Sequence, residues 1–216
     1  MNSNYSVSEA GTSRLEDIVK VVATTCLANE QYFCDLDSVV GDGDFGYSLA
    51  RGFEKVLEDW DSYDRADLGV FLQAVAVTMS SRMGGTSGPI WGTAFLRAAG
   101  VARGKQTLVG ADVVAMLAAA IEGIKARGGA DVGDKTLLDA LVPLTDEIRF
   151  AVEAGVQPQQ VAAQAAVVAR DAAEATSTLT ARRGRASYTG DRSIGSPDPG
   201  AIAMAVLAEH IAAAWS

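Results

Sequence analysis

The chain has 216 residues, of which 49% are hydrophobic, 6% aromatic and 21% charged, and it carries a formal charge of −9. At this length roughly 70% of the unfolded surface can be buried, so one packed domain is expected without disulfides or a structural metal, and wholesale disorder is excluded. The excess of 27 Asp and Glu over 18 Lys and Arg disfavours a nucleic-acid partner, whose affinity would come from clustered cations.

Residues 1–12 are polar and read as a flexible N-terminal tail ahead of a single domain over 13–216. From 13 to 37, apolar residues recur at helical spacing (Leu15, Ile18, Val19, Val22, Cys26, Tyr32, Phe33), and Ser13 with Glu16 has the form of a capping box. Amphipathic helices are predicted next over 47–58 and 66–83, followed by helical blocks near 90–102, 110–126, 135–154, 158–178 and 199–214. Strand patterns are almost absent, and the many alanines suit closely approaching helix axes. The fold class is therefore all-α, an antiparallel bundle of about eight helices.

Cys26 and Cys34 form neither a CxxC pair nor a disulfide framework, so they read as free thiols in a reducing, cytoplasmic setting. No leader pattern opens the chain and no apolar run reaches the roughly 18 residues of a membrane helix, so no membrane association is expected. The single histidine, His210, stands in an Ala-rich stretch and reads as a surface residue of the last helix.

Four loops concentrate glycine and polar residues: LDSVVGDGDFG at 36–46, MGGTSGPIWG at 83–92, GGADVGDKT at 128–136 and GRASYTGDRSIGSPDPG at 184–200. Two helices separate each successive pair, and in an up-and-down array that parity puts all four loops at one end. In the first, Asp37, Asp42 and Asp44 are carboxylates separated by helix-breaking Gly41 and Gly43. Hard oxygen donors without His or Cys select Mg²⁺ or Ca²⁺ over zinc. An EF-hand is excluded, because its twelfth position, counted from Asp37, is Ser48. Asp-Gly pairs also mark plain solvated turns, and the motif alone leaves both readings open. The second loop offers Thr86, Ser87 and free N–H groups near a helix start, which suit phosphate oxygens, although no P-loop pattern is present. The fourth gathers Arg182, Arg183, Arg185 and Arg192, then Asp198-Pro199-Gly200 as N-cap and first turn of the last helix.

Together LDxxxGDGDxGxxxARGF at 36–53, MGGTSGPIWGTxF at 83–95, GDKTLLDAL at 133–141 and GRASYTGDRSIGSPDPGA at 184–201 resemble, in order, the nucleotide-binding L subunit (DhaL type) of dihydroxyacetone kinases. The resemblance implies a barrel of eight antiparallel helices that binds ADP or ATP at one end, with two Mg²⁺ ions held by Asp37, Asp42 and Asp44. Nucleotide contacts carry over to Phe45, Gly46, Tyr47, Ser48, Thr86, Ser87, Gly128, Leu137, Arg185, Asp198, Pro199 and Gly200. It further implies transfer of phosphate to dihydroxyacetone or a similar small ketose held covalently on a separate K-type subunit. Within the same resemblance lie a phosphotransferase-linked form, whose bound ADP a phosphoprotein partner recharges, and a nucleotide-sensing regulatory module; a homodimer is compatible with either. Family members commonly carry His where Phe45 and Ser196 stand.

Overall fold

The computed structural model describes residues 7–215, with side chains from residue 14 onward. Among them are nine α-helices, three short 3₁₀ segments and no strand: α1 (Val7–Ala28), α2 (Glu30–Ser38), α3 (Phe45–Glu58), α4 (Leu68–Arg82), α5 (Ser87–Ala102), α6 (Gly110–Gly128), α7 (Leu138–Glu153), α8 (Pro158–Ala175) and α9 (Pro199–Trp215). Residues 1–6 of the expected tail lie outside the described residues, whereas 7–12 belong to α1. Ser13 and Glu16 are therefore inside the helix and do not cap it. The predicted first helix is divided at Asn29, whose backbone leaves helical geometry (φ −108°, ψ 15°) and whose side-chain amide donates to Thr25 O at 2.9 Å.

Each helix packs on its chain neighbour from α3 to α9, and α9 returns to α1, which also packs on α3. The ring is closed: eight helices form the barrel wall, and α2 continues the first of them over one end against α3. This is the all-α, antiparallel eight-helix arrangement that the periodicity predicts.

The barrel is filled by Phe33, Leu49, Phe53, Val56, Phe71, Val75, Met79 and Leu138, all within 1% of complete burial. Small residues bring the walls together. Buried Ala165, Ala169 and Ala173 of α8 and Ala201 and Ala205 of α9 mark a seam where short side chains let the axes approach. The α3–α4 corner is an aromatic cluster in which Trp60, Tyr63 and Phe71 meet edge to face at 5.5–6.3 Å. Arg65 holds that corner by donating to Trp60 O, Tyr63 O and Glu16 Oε2 of α1.

Cys26 is buried, which pushes its thiol far up, and Cys34 is only half-covered; both are free. Among the described residues no helix is long and apolar enough to cross a membrane.

Candidate functional site

The first loop shows how local geometry gathers three like charges. Asp37 lies in the last turn of α2, where its carbonyl accepts Val40 N–H at 3.2 Å and Gly41 N–H at 2.6 Å. Gly43 turns the chain with φ +75°, which a side chain would resist, and donates its N–H to Asp37 Oδ2 at 2.9 Å. A Cβ on Gly41 would overlap the Asp37 carboxylate. Asp44 then stands at the N-cap of α3. The outcome is that one carboxylate oxygen from each of Asp37, Asp42 and Asp44 lies within 4.8 Å of the others, with Asp42 and Asp44 open to solvent. An all-carboxylate set of this span fits a hard divalent ion such as Mg²⁺. Across the loop, the Arg185 guanidinium rests against Asp42, and its Nη1 is 3.8 Å from Asp44 Oδ2.

The four glycine-rich loops share this end. Arg185 joins the fourth to the first, and a Cβ on Gly84 would sit 3.6 Å from Ser48 Oγ, joining the second to the first. A Cβ on Gly128 would lie 3.1 Å from Ile90 Cδ1, and one on Gly200 would lie 3.2 Å from Leu137 Cβ, closing the circuit from the second loop through the third to the last helix. Consequently α3, α5, α7 and α9 all begin on this rim. The positive dipole ends of the four make it suited to an anion, and the N-caps of α3 and α5, Asp44 and Thr86, make no side-chain cap bond.

Each nucleotide-contact candidate stands on that rim. Phe45, Gly46, Tyr47 and Ser48 are the first turn of α3, Thr86 and Ser87 open α5, Gly128 ends α6, Leu137 precedes α7, and Asp198, Pro199 and Gly200 open α9. They are not equally accessible: Tyr47, Thr86, Gly128 and Arg185 are exposed, whereas Gly46, Ser48 and Pro199 are buried. Gly46 is the contact between α2 and α3, since a Cβ there would collide with Glu30 O and Cys34 N. The Phe45 ring packs on Phe33 at 6.1 Å, so a core contact occupies this position. Ser196 Oγ is buried without a hydrogen-bond partner, while its carbonyl accepts Lys135 Nζ at 2.7 Å. His210 is exposed, eleven residues into α9 and thus about 17 Å along the axis from its start.

Asp198 caps α9 as expected, accepting Ala201 N–H at 2.8 Å, and its own N–H donates to Thr176 Oγ1 at 2.8 Å. Burial raises its carboxyl to about 7; the Ala201 N–H opposes that shift, the Asp139 charge adds to it and Lys135 offsets part of it.

The third loop contains residues that spacing did not single out. Buried Asp139 accepts Gly133 N–H at 2.5 Å and Thr136 N–H at 2.7 Å, winding 133–139 into a tight turn ahead of α7. Asp134 pairs with Arg183 Nε at 3.0 Å and takes Arg182 Nη1 at 3.8 Å, and its carbonyl accepts Arg182 N–H. Burial alone would raise the Asp134 carboxyl, yet the Asp131 N–H and Arg183 prevail and hold it below the usual range. Lys135, at φ +62°, buries its ammonium among the carbonyls of Leu179, Ser193 and Ser196. The available signal was a lone lysine between Asp134 and Thr136 in the Gly-rich GDKT motif.

A closed all-α barrel with an acidic, helix-start-lined mouth defines a class, and its sequence pattern agrees: the chain belongs to the DAK2 domain family, which matches residues 39–213. That span includes Asp42 and Asp44 and begins just after Asp37. Within the family the chain is similar to the ADP-binding subunit DhaL of the PEP-dependent dihydroxyacetone kinase of Escherichia coli (strain K12), at 38% identity over 184 residues, covering 85% of this chain and 88% of that subunit. It is also 38% identical over 205 residues to L-erythrulose 1-kinase of Mycolicibacterium smegmatis, covering 93% of this chain but 36% of that protein. The crystal structure of the dihydroxyacetone kinase from C. freundii in complex with AMP-PNP and Mg²⁺ superposes with a TM-score of 0.73 at 25% identity, over 92% of this chain and 33% of that one. The chain thus spans most of a DhaL subunit and about a third of the longer kinases.

Proposed function

We propose that this chain is the nucleotide-binding, phosphoryl-donating subunit of a two-component kinase for dihydroxyacetone or a similar small ketose. It works on ATP or ADP with Mg²⁺ and pairs with a separate K-type subunit that holds the ketose. The observation that carries the reading is the convergence of Asp37, Asp42 and Asp44 within 4.8 Å on a rim where four helices begin. Carboxylates concentrated at one mouth need cations, and helix starts beside them favour anions; a metal–nucleotide complex satisfies both.

In this reading Asp37, Asp42 and Asp44 hold two Mg²⁺ ions, which when bound neutralise charge on the transferring phosphoryl group. The N–H groups of the first turns of α3 and α5, with the Thr86 and Ser87 hydroxyls, orient phosphate oxygens. Arg185 adds positive charge beside them. Gly128, Leu137 and Asp198 through Gly200 flank the rest of the nucleotide. The chain positions and neutralises, and the accepting hydroxyl comes from the partner, so no histidine base is needed here. A cytoplasmic setting follows from such a partner and suits the free thiols Cys26 and Cys34.

The phosphotransferase-linked form is favoured by one observation. Relatives of comparable length from Escherichia coli, Listeria innocua and Lactococcus lactis are described as PEP- or PTS-dependent ADP-binding subunits. Calorimetry with Mg-ADP on the wild type and Asp42→Ala tests the common core: binding is expected for the first and loss for the second. Equal heats, or none in either, would overturn the proposal. Turnover of free ATP with a K-type subunit would identify the ATP-driven form; ADP that survives dialysis and is recharged only by a phosphoprotein would identify the other.

A further inference from the structure

Lys135 is 3% exposed, yet among the described residues no carboxylate forms an ion pair with its ammonium. Its Nζ donates to Leu179 O at 3.0 Å, Ser193 O at 2.5 Å and Ser196 O at 2.7 Å, which uses all three of its donors. Those acceptors are the two ends of one loop, 179–196. Lys135 is also the one non-glycine residue with positive φ among the described residues, at +62°. A desolvated ammonium and a left-handed backbone are both unfavourable, and surrounding structure must compensate for them. Burial lowers the Lys135 pKa, and the Asp198 charge only partly opposes this. With its donors engaged inward, Lys135 has none to offer a phosphate. What its placement secures is the loop.

The loop has little else to fix it. Its 3₁₀ segment, Arg185–Ser193, is interrupted at Gly190, and Tyr188 within it is 88% exposed. Two further bonds cross the neck, Ala181 N–H to Ser193 Oγ at 2.9 Å and Gly195 N–H to Ser177 O at 2.8 Å. Beyond the neck, its ties to the rest of the rim are the Arg182 N–H bond to Asp134 O at 3.0 Å and the side chains of Arg182 and Arg183 on Asp134 and of Arg185 on Asp42 and Asp44. Those arginines are largely exposed, so their ion pairs hold weakly by themselves. The position of Arg185 is set by how the neck is closed.

We propose that Lys135 is a positioning residue: it clasps the neck of the 179–196 loop and thereby delivers Arg185 to the acidic loop. The consequence for nucleotide binding rests on the function proposed above, whereas the clasp itself does not.

The test compares wild type, Lys135→Met, Arg185→Gln and the double variant, with circular dichroism confirming the folded barrel. Under native conditions trypsin cleavage after Arg182, Arg183, Arg185 or Arg192 is expected to accelerate about ten-fold or more in Lys135→Met, because three charge-assisted bonds no longer close the neck. Mg-ADP affinity is expected to fall by a similar factor in Lys135→Met and Arg185→Gln, and no further in the double variant, because both act through one guanidinium. Unchanged cleavage, or affinity losses that multiply in the double variant, would overturn the proposal. Should Lys135→Met not fold, Lys135→Gln, which keeps two donors, is read in the same way. If the wild type binds no Mg-ADP, the function proposed above fails, and the clasp is decided by proteolysis alone.

Discussion

The guanidinium of Arg185, in the loop before α9, lies against the carboxylate of Asp42, in the loop before α3. Within the described structure it is the cation nearest to three mutually repelling carboxylates. Mg²⁺ held by that set would compete with it for Asp42. The pair is open to solvent, with side chains 55% and 40% exposed, so it is worth about 0–1 kcal/mol. Arg185→Gln should therefore leave the melting temperature almost unchanged and tighten binding of Mg²⁺ alone by at most about five-fold. Mg-ADP should bind more weakly, since phosphate charge loses its partner. Calorimetry with each ligand checks both directions, and weaker binding of Mg²⁺ alone would contradict this account.

Asp198 gives the protein a pH dependence of unusual sign. Its folded-state pKa, about 7, lies above the ordinary carboxylate value near 3.8, so the native state binds the extra proton between those limits. The contribution of Asp198 to stability is intact below about pH 4 and is lost as pH rises toward 7 and above. Asn caps a helix as well as Asp does, so Asp198→Asn should keep α9 intact and remove this slope. Denaturant unfolding from pH 4 to 8 should show the variant gaining on the wild type as pH increases. Parallel profiles would mean that Asp198 stays ionised throughout.

Gly46 and Gly100 test packing against propensity. Ala at Gly46 drives a Cβ into Glu30 O and Cys34 N, forcing α3 away from α2 and spreading the acidic loop. We expect a loss of about 2–3 kcal/mol, which corresponds to roughly 5–10 °C in Tm for a chain of this size, together with weaker Mg-ADP binding. Gly100 lies inside α5 with nothing within 4 Å of its would-be Cβ, and Ala there should stabilise by about 0.5–1 kcal/mol. Thermal melts of the two variants should move in opposite directions.

Phe45 opens α3 beside Asp44 and packs on the fully buried Phe33. Phe45→His exchanges part of that aromatic contact for a polar ring on the rim proposed above to take the phosphates. A loss of about 1 kcal/mol, or roughly 2–4 °C in Tm, should accompany several-fold tighter Mg-ADP binding, because the imidazole adds a side-chain donor at the first position of α3. Melting and calorimetry on the same preparation separate the two effects; unchanged affinity would show that the ring faces the core alone.

Much of the wall was legible residue by residue. The periodic apolar positions that define α3 to α6, α8 and α9 are local, and burying one face of each accounts for their boundaries to within a few residues. Where boundaries moved, a polar side chain bonded backbone a few residues away, which the spacing of apolar residues does not register. Asn29 breaks the first helix through its own amide bond to Thr25. Residues 135–137, read as the start of a helix, instead form a turn, because Asp139 reaches back to Gly133 and Thr136. Ser13 and Glu16 fit a cap by spacing alone, yet α1 begins at Val7.

By itself the sequence determined the helical class, the placement of four glycine-rich loops and the three aspartates, because helix periodicity and loop composition are properties of neighbouring residues. Alternation of helices even put those loops at one end. Only the tertiary structure decided that α9 closes onto α1, that Arg185 meets Asp42 and that Lys135 ties 179 to 196. Those contacts join segments far apart in the chain, and their partners are selected by which groups remain charged or unbonded once the barrel has closed.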